Sequence, residues 1–167
     1  MNTNQIFHFQ KMLKNLDKLM AKAAGYADSK KFDVNVLTHA RLAPDMFPLS
    51  RQIQIACDTA KFSAAYLSEQ TAPKHEDTET TWPQLRERIQ KVVTYLEGFK
   101  ESDFSKASAV KVKPTWAQGQ WLQAEDYIEQ VAVPNFYFHI TTVYALLRNA
   151  GVDIGKMDYL GNVNFQK

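Results

Sequence analysis

Residues 134–150 form the most aromatic segment of the chain, and they constrain most strongly what it can fold into. The segment opens at Pro134 and stops before Gly151. Between them Phe136, Ile140, Val143 and Leu147 recur at helical spacing, with Tyr137, Phe138 and Tyr144 beside them. Proline is tolerated in a helix's first turn because its missing N–H would be unpaired there, and glycine suits the left-handed position after the last turn. A helix this apolar must be covered by other elements. The upstream sequence supplies them.

Three earlier segments carry apolar residues in alternating steps of three and four, the pattern of a helix with one buried stripe. After a candidate N-cap at Asn4, the first stripe is Ile6, Phe9, Leu13, Leu16, Met20, Ala23 and Ala27; Gly25 weakens its end, and 28–31 reads as an exposed exit. The second helix, 48–68, has one stripe of Leu49, Ile53, Ala56, Ala60, Ala64 and Leu67 and another of Ile55, Phe62 and Tyr66. Two apolar faces predict a helix covered on more than one side, central to a bundle. The third follows Thr81, a natural N-cap with Pro83 in the first turn, and places Trp82, Leu85, Ile89, Val92 or Val93, Leu96 and Phe99 inward. Glu87 and Lys91 form a favourable pair one turn apart on its outer face.

The connectors are of different kinds. Val34, Val36 and Leu37 anchor a short turn, and Pro44 and Pro48 fix the entry into the second helix, with Asp45 near its N-terminus. The acidic loop 71–81 reads as solvated and capping, since it lacks the glycine and alternating oxygen ligands of a calcium loop. Alternation at 109–113, then turn chemistry up to Trp121 and Leu122, predicts a small two-stranded hairpin. The tail, 152–167, is expected to be an irregular arm packed through Met157, Tyr159 and Leu160. The result is one all-α domain, 1–167: a four-helix bundle with a hairpin before the last helix.

Composition narrows the function classes. The 20 basic and 18 acidic residues are well mixed and leave a net charge of +2, so no nucleic-acid footprint is visible. No apolar run approaches the roughly 20 residues a membrane span needs, and the N-terminus has no leader pattern. The single cysteine, Cys57, cannot form an intrachain disulfide. It fits a reducing compartment, so the expected location is cytoplasmic, and among apolar residues it reads as a small buried hydrophobe rather than a nucleophile.

Candidate chemistry is sparse. No Gly-x-Ser-x-Gly elbow and no glycine-rich phosphate loop occurs. Of His8, His39, His75 and His139, none has a second histidine four residues away; His8 and His75 look exposed. The residues four before and four after His139 are Asn135 and Val143. At helical spacing His139 lies roughly 70° from the centre of the buried stripe, at its edge, where it needs a partner from a neighbouring helix. Arg51, Gln52 and Asp58, on a mostly buried helix, need partners too. Arg41 with Asp45, and Arg148, read as ion pairs or caps. A pocket lined by His139, Gln52 and Tyr144, with Asp45 at its rim, is the candidate ligand site.

Residues 40–49 (Ala-Arg-Leu-Ala-Pro-Asp-Met-Phe-Pro-Leu), Glu79-Thr80-Thr81, Pro134 to His139 through Leu147-Arg148, and Asp158-Tyr159-Leu160-Gly161 resemble a microbial domain-of-unknown-function family in the DinB-like and YfiT-like metalloenzyme superfamily. The resemblance covers nearly the whole chain. It implies a DinB-type four-helix bundle and homodimers. Metal-binding members use one histidine on the second helix and two, four residues apart, on the last. If His139 matches the first of that pair, Val143 replaces the second, and Arg51 or Gln52 stands where the second-helix histidine would be. The triad is therefore not carried over, and no metal or other cofactor is expected. The expected function is binding of an unidentified small molecule at a degenerate polar site around His139. The competing readings are a metal-dependent transferase or hydrolase and a purely structural dimerisation module.

Overall fold

The computed structural model describes residues 4–166. Helix α1 spans Asn4–Lys30 and buries every residue of its predicted stripe, together with Met12, Asn15 and Leu19. It does not yield at Gly25 but continues to Lys30, and Lys31 ends it in the left-handed region at φ 59°. A 3₁₀ turn, Val34–His39, follows and buries Leu37 and Thr38. The connector then leads to α2, Leu49–Ser68, whose N-cap is Pro48. In this connector Arg41 donates to the Met46 carbonyl rather than pairing with Asp45.

Helix α3, Trp82–Glu97, begins where Gln84 reaches back to accept the backbone N–H groups of Thr80 and Thr81, at 2.9 and 3.0 Å. It runs antiparallel to α1: the Trp82 indole donates to the Met20 carbonyl at 3.2 Å, and Arg86 forks onto Asp17 at 2.7 and 2.9 Å. The predicted hairpin is present but brief, with β1 (Lys111–Val112) antiparallel to β2 (Leu122–Gln123) and Val112 opposite Leu122. It leans on the bundle through buried Val112, as a two-stranded ribbon must.

The final helical run starts earlier than Pro134. It comprises α4 (Ala124–Asp126), a π-helical turn (Tyr127–Ala132) and α5 (Val133–Asn149) in direct succession. Proline within a helix removes one N–H and its ring crowds the carbonyl four residues back. Widening the turn just before Pro134 accommodates both effects, and π turns of this kind recur at functional sites. At the other end Gly151, at φ +91°, closes α5: its N–H meets the Arg148 carbonyl at 3.0 Å, and Val152 N–H meets the Leu147 carbonyl at 3.0 Å. This is the paired cap typical of a left-handed glycine.

The core lies where α1, α2, α3 and α5 meet, with Phe9 and Phe136 in contact at 4.3 Å between ring centroids. The C-terminal arm is anchored differently from expectation. Val152 and Ile154 are buried, whereas Met157 is 60% exposed and Leu160 is on the surface. The arm contains a short helix, α6 (Lys156–Leu160), tied to α1 by the Asn15 amide, which donates to the Tyr159 and Leu160 carbonyls at 3.1 and 3.0 Å.

Candidate functional site

Arg51, Ile55, Asp58, Thr59, Phe62 and Tyr66 follow one another along one face of α2, and they form a wall of a cleft of about 290 Å³. Tyr127, Val131 and Asn135, from the π turn and the start of α5, form the facing wall, and Thr115 and Trp116 of the hairpin close one side. The second apolar stripe of α2 therefore has a use the sequence did not suggest. Ile55 and Tyr66 are only half-buried and Phe62 is exposed, because no helix covers them. They line an opening.

Two polar bridges cross the seam between α2 and α5, which run antiparallel. The Asn135 amide donates to Thr59 Oγ1 at 2.8 Å, and that hydroxyl donates in turn to the Ile55 carbonyl at 2.8 Å. This fixes the orientation of the Asn135 amide, whose oxygen takes no hydrogen bond from a described residue, and Asn135 lines the cleft. One turn further along α5, His139 Nδ1 meets Gln52 Oε1 at 2.6 Å, while Gln52 Nε2 donates to the Phe47 carbonyl at 3.0 Å. Since the Gln52 NH₂ is committed to a carbonyl, its oxygen must face the imidazole. His139 Nδ1 then carries the proton, and Nε2 keeps a lone pair. Burial, reinforced by the charge of Arg51, lowers the His139 pKa to about 4, so the ring is neutral near pH 7.

Behind the cleft wall lies a buried ion network. The fully buried Arg88 guanidinium bonds Asp58 at 2.7 Å and Glu79 at 2.9 Å, and lies 3.1 Å from Asp77. Lys61, also buried, reaches Asp58 at 2.7 Å and the His75 ring at 3.2 Å. Arg51 pairs with Asp77. The acidic loop is thus not merely solvated: Asp77 and Glu79 close over α2 and α3 as counter-ions. Burial alone would raise their pKa values, but Arg51 and Arg88 hold Asp77, and a backbone N–H, Arg88 and the Gln54 amide hold Glu79, below the usual carboxylate range. His75, expected to be exposed, is half-buried in the same network. The sequence did hold a signal for Arg88. It sits in the apolar stripe of α3, between Leu85, Ile89 and Val92, where an arginine has to be paired.

The four residues expected to share a pocket do not all meet. His139 and Gln52 are bonded. Asp45 is exposed in the connector, and Tyr144 turns to the arm, edge-on to Tyr159 at 5.7 Å. Neither reaches His139. Among the described residues no group of three or more His, Cys, Asp or Glu is placed to hold a metal ion. His139 is a poor nucleus for one. It is a single imidazole with one nitrogen committed to Gln52 and with the Arg51 cation nearby, whereas a catalytic zinc takes about three protein ligands. The residues present do not fit the superfamily's metal. Cys57 is fully buried and its thiol is pushed up to about 12 by burial, so it remains an uncharged core residue.

Residues 1–160 match the family described as domain of unknown function DUF1993. The chain belongs to that family. A crystal structure described as a DinB family member protein from Shewanella denitrificans is 49% identical, with a TM-score of 0.92; the alignment covers 97% of this chain and 92% of that one. A comparison with curated proteins gives no match. At 49% identity over almost the whole chain, the likeness extends through the hairpin and arm as well as the four long helices. The DUF1993 chain is thus a DinB-like helical bundle, and no described helix is long and apolar enough to cross a membrane.

Proposed function

We propose that this protein is a small-molecule-binding bundle whose ligand enters the cleft between α2 and α5, with the buried, neutral His139 imidazole one turn of α5 beyond Asn135, next to the cleft rather than in its lining. The observation that carries this reading is the Phe47–Gln52–His139 relay. The Gln52 amide gives Nδ1 the partner any buried imidazole needs, and its fixed other end sets the ring's tautomer. The relay presents Nε2 as a hydrogen-bond acceptor that no described residue engages. Its neighbour Arg51 brings a cation to the same stretch of the seam.

A thermal-shift screen of a metabolite library against the protein and its His139→Ala variant tests the reading. Ligand-induced shifts that disappear in the variant support it. Shifts that all survive put the binding away from His139, and no shift in either protein favours a structural dimerisation module. The homodimer implied by the superfamily resemblance belongs to the same proposal. Phe47 and Phe138, 56% and 55% exposed, flank the Gln52–His139 pair and offer an apolar face to a second copy. Light scattering on a size-exclusion column measures the outcome. A cytoplasmic location, inferred from the single cysteine, is part of the proposal too, and cell fractionation tests it.

A further inference from the structure

The order of groups along the cleft is more specific than its existence. Arg51 lies at one end, with only Nη1 committed, to Gln54 and Asp77; its side chain is 39% exposed. Seven residues later, about 10 Å along the helix axis, comes Asp58. Arg88 and Lys61 both close on Asp58 Oδ1, and no hydrogen bond from a described residue reaches Oδ2. Asn135, whose amide nitrogen is held by Thr59 and whose oxygen takes no hydrogen bond from a described residue, lines the cleft in the same layer. Beyond them the walls become aromatic: Phe62 stacks on Tyr66 with centroids 5.9 Å apart, Tyr127 stands edge-on to Tyr66 at 5.6 Å, and Trp116 faces them from the hairpin, 64% exposed.

The cleft therefore presents, in sequence, a cationic donor, a pair of anionic and carbonyl acceptors, and an aromatic slot. An aromatic α-amino acid carries the complementary groups in the same order: carboxylate, ammonium, planar ring. The charge balance agrees. Arg51, Lys61 and Arg88 are matched by Asp58, Asp77 and Glu79. A net-neutral zwitterion can dock without leaving an unmatched charge against this half-buried wall, whereas a simple amine or a simple acid would leave one. The volume, about 290 Å³, suits a ligand of this size and is at the small end for ligand pockets.

We propose that the α2–α5 cleft binds a free aromatic α-amino acid, with the carboxylate on Arg51, the ammonium between Asp58 and Asn135, and the ring in the slot formed by Phe62, Tyr66, Tyr127 and Trp116. The proposal rests on the reading of this cleft as a small-molecule site and adds the chemical class. No bond is made or broken.

Isothermal titration of the full chain with L-phenylalanine, 2-phenylethylamine, 3-phenylpropanoate and glycine tests it. L-Phenylalanine is expected to bind, and each analogue lacking one group to bind at least about tenfold more weakly, in keeping with roughly 1.4 kcal/mol for a lost charge-assisted contact. Trp116→Ala, on the exposed hairpin and away from the core, is expected to weaken L-phenylalanine about tenfold while leaving the melting temperature unchanged. If 2-phenylethylamine or 3-phenylpropanoate binds as tightly as L-phenylalanine and still depends on Trp116, the amino-acid assignment falls while the cleft stands as a ligand site. If L-phenylalanine gives no heat at millimolar concentration, the assignment falls too, and the broader reading then stands or falls on the His139→Ala screen.

Discussion

Gln52 holds His139 Nδ1 at 2.6 Å from one helix to the next, and because its own amide is fixed on the Phe47 carbonyl it sets which ring nitrogen carries the proton. Because burial lowers its pKa from 6.5 to about 4, the unfolded chain binds a proton at this position that the folded one refuses. The stability this contributes is complete above pH 6.5, declines as pH falls, and is fully lost below about 4. The ceiling is about 3 kcal/mol at roughly 1.4 kcal/mol per pH unit. Urea denaturation at pH 7, 5.5 and 4.5 should show this decline, and His139→Gln should flatten it over the same window. An unchanged slope in the variant would assign the decline to other groups. Asp77 and Glu79, whose pKa values are also held low, add a further loss at more acid pH.

Arg88 is the charge on which three carboxylates converge. Replacing it by methionine preserves much of the volume but leaves Glu79 without its buried cation, while Asp58 keeps only Lys61. Removing one partner of a buried pair typically costs about 3–5 kcal/mol, and Arg88→Met is expected to fall in that range by chemical denaturation. Adding Glu79→Gln should recover part of the loss, because it removes the stranded anion, whereas Asp58 still pairs with Lys61. A double-mutant cycle measures the coupling.

At Gly161 the backbone sits at φ +63°, and a Cβ would lie 2.4–2.7 Å from the Asn15 carboxamide. Asn15 is the residue that binds the arm to α1. Gly161→Ala must displace that side chain or the arm, and in addition strain a left-handed position. Hydrogen exchange should accelerate in 155–166 while the protection of α2 and α5 stays as it was. Faster exchange throughout would mean the arm is integral to the bundle's cooperativity.

Cys57 should be silent to a thiol reagent in the native state at pH 8, since it is buried and its thiol is pushed up to about 12. Labelling is expected only at the rate of unfolding. Stopped labelling across a urea series, compared with the unfolding rate by circular dichroism, checks this. Fast native-state labelling would reveal local opening of α2.

Some of the site could be read from the residues alone. His139 at the edge of a stripe had to find a polar partner, and Gln52 was among the few candidates. Asp45 and Tyr144 were grouped with it by position along the chain, which does not say which way a side chain turns. Tyr144 is five residues from His139, more than a quarter turn away around α5, and it faces the arm. Arg88 was passed over although its place in the apolar stripe of α3 called for a partner, and Lys61 because it lies in neither apolar stripe of α2 and nothing local marks it as buried. The π turn went unforeseen for a related reason: Pro134 has equal local logic at a helix start and beneath a widened turn.

The sequence by itself determined the helices, because periodicity of three and four, N-terminal capping residues and a closing glycine are local and each acts within a turn or two of chain. It also determined that α2 would be central, from its two apolar faces. Only the tertiary structure decided what the second face was for. Ile55, Phe62 and Tyr66 have the spacing of a buried stripe, yet the hairpin and the π turn stand off from them and leave a cleft. Which apolar face is covered and which stays open depends on how elements far apart in sequence pack, and no residue encodes that separately.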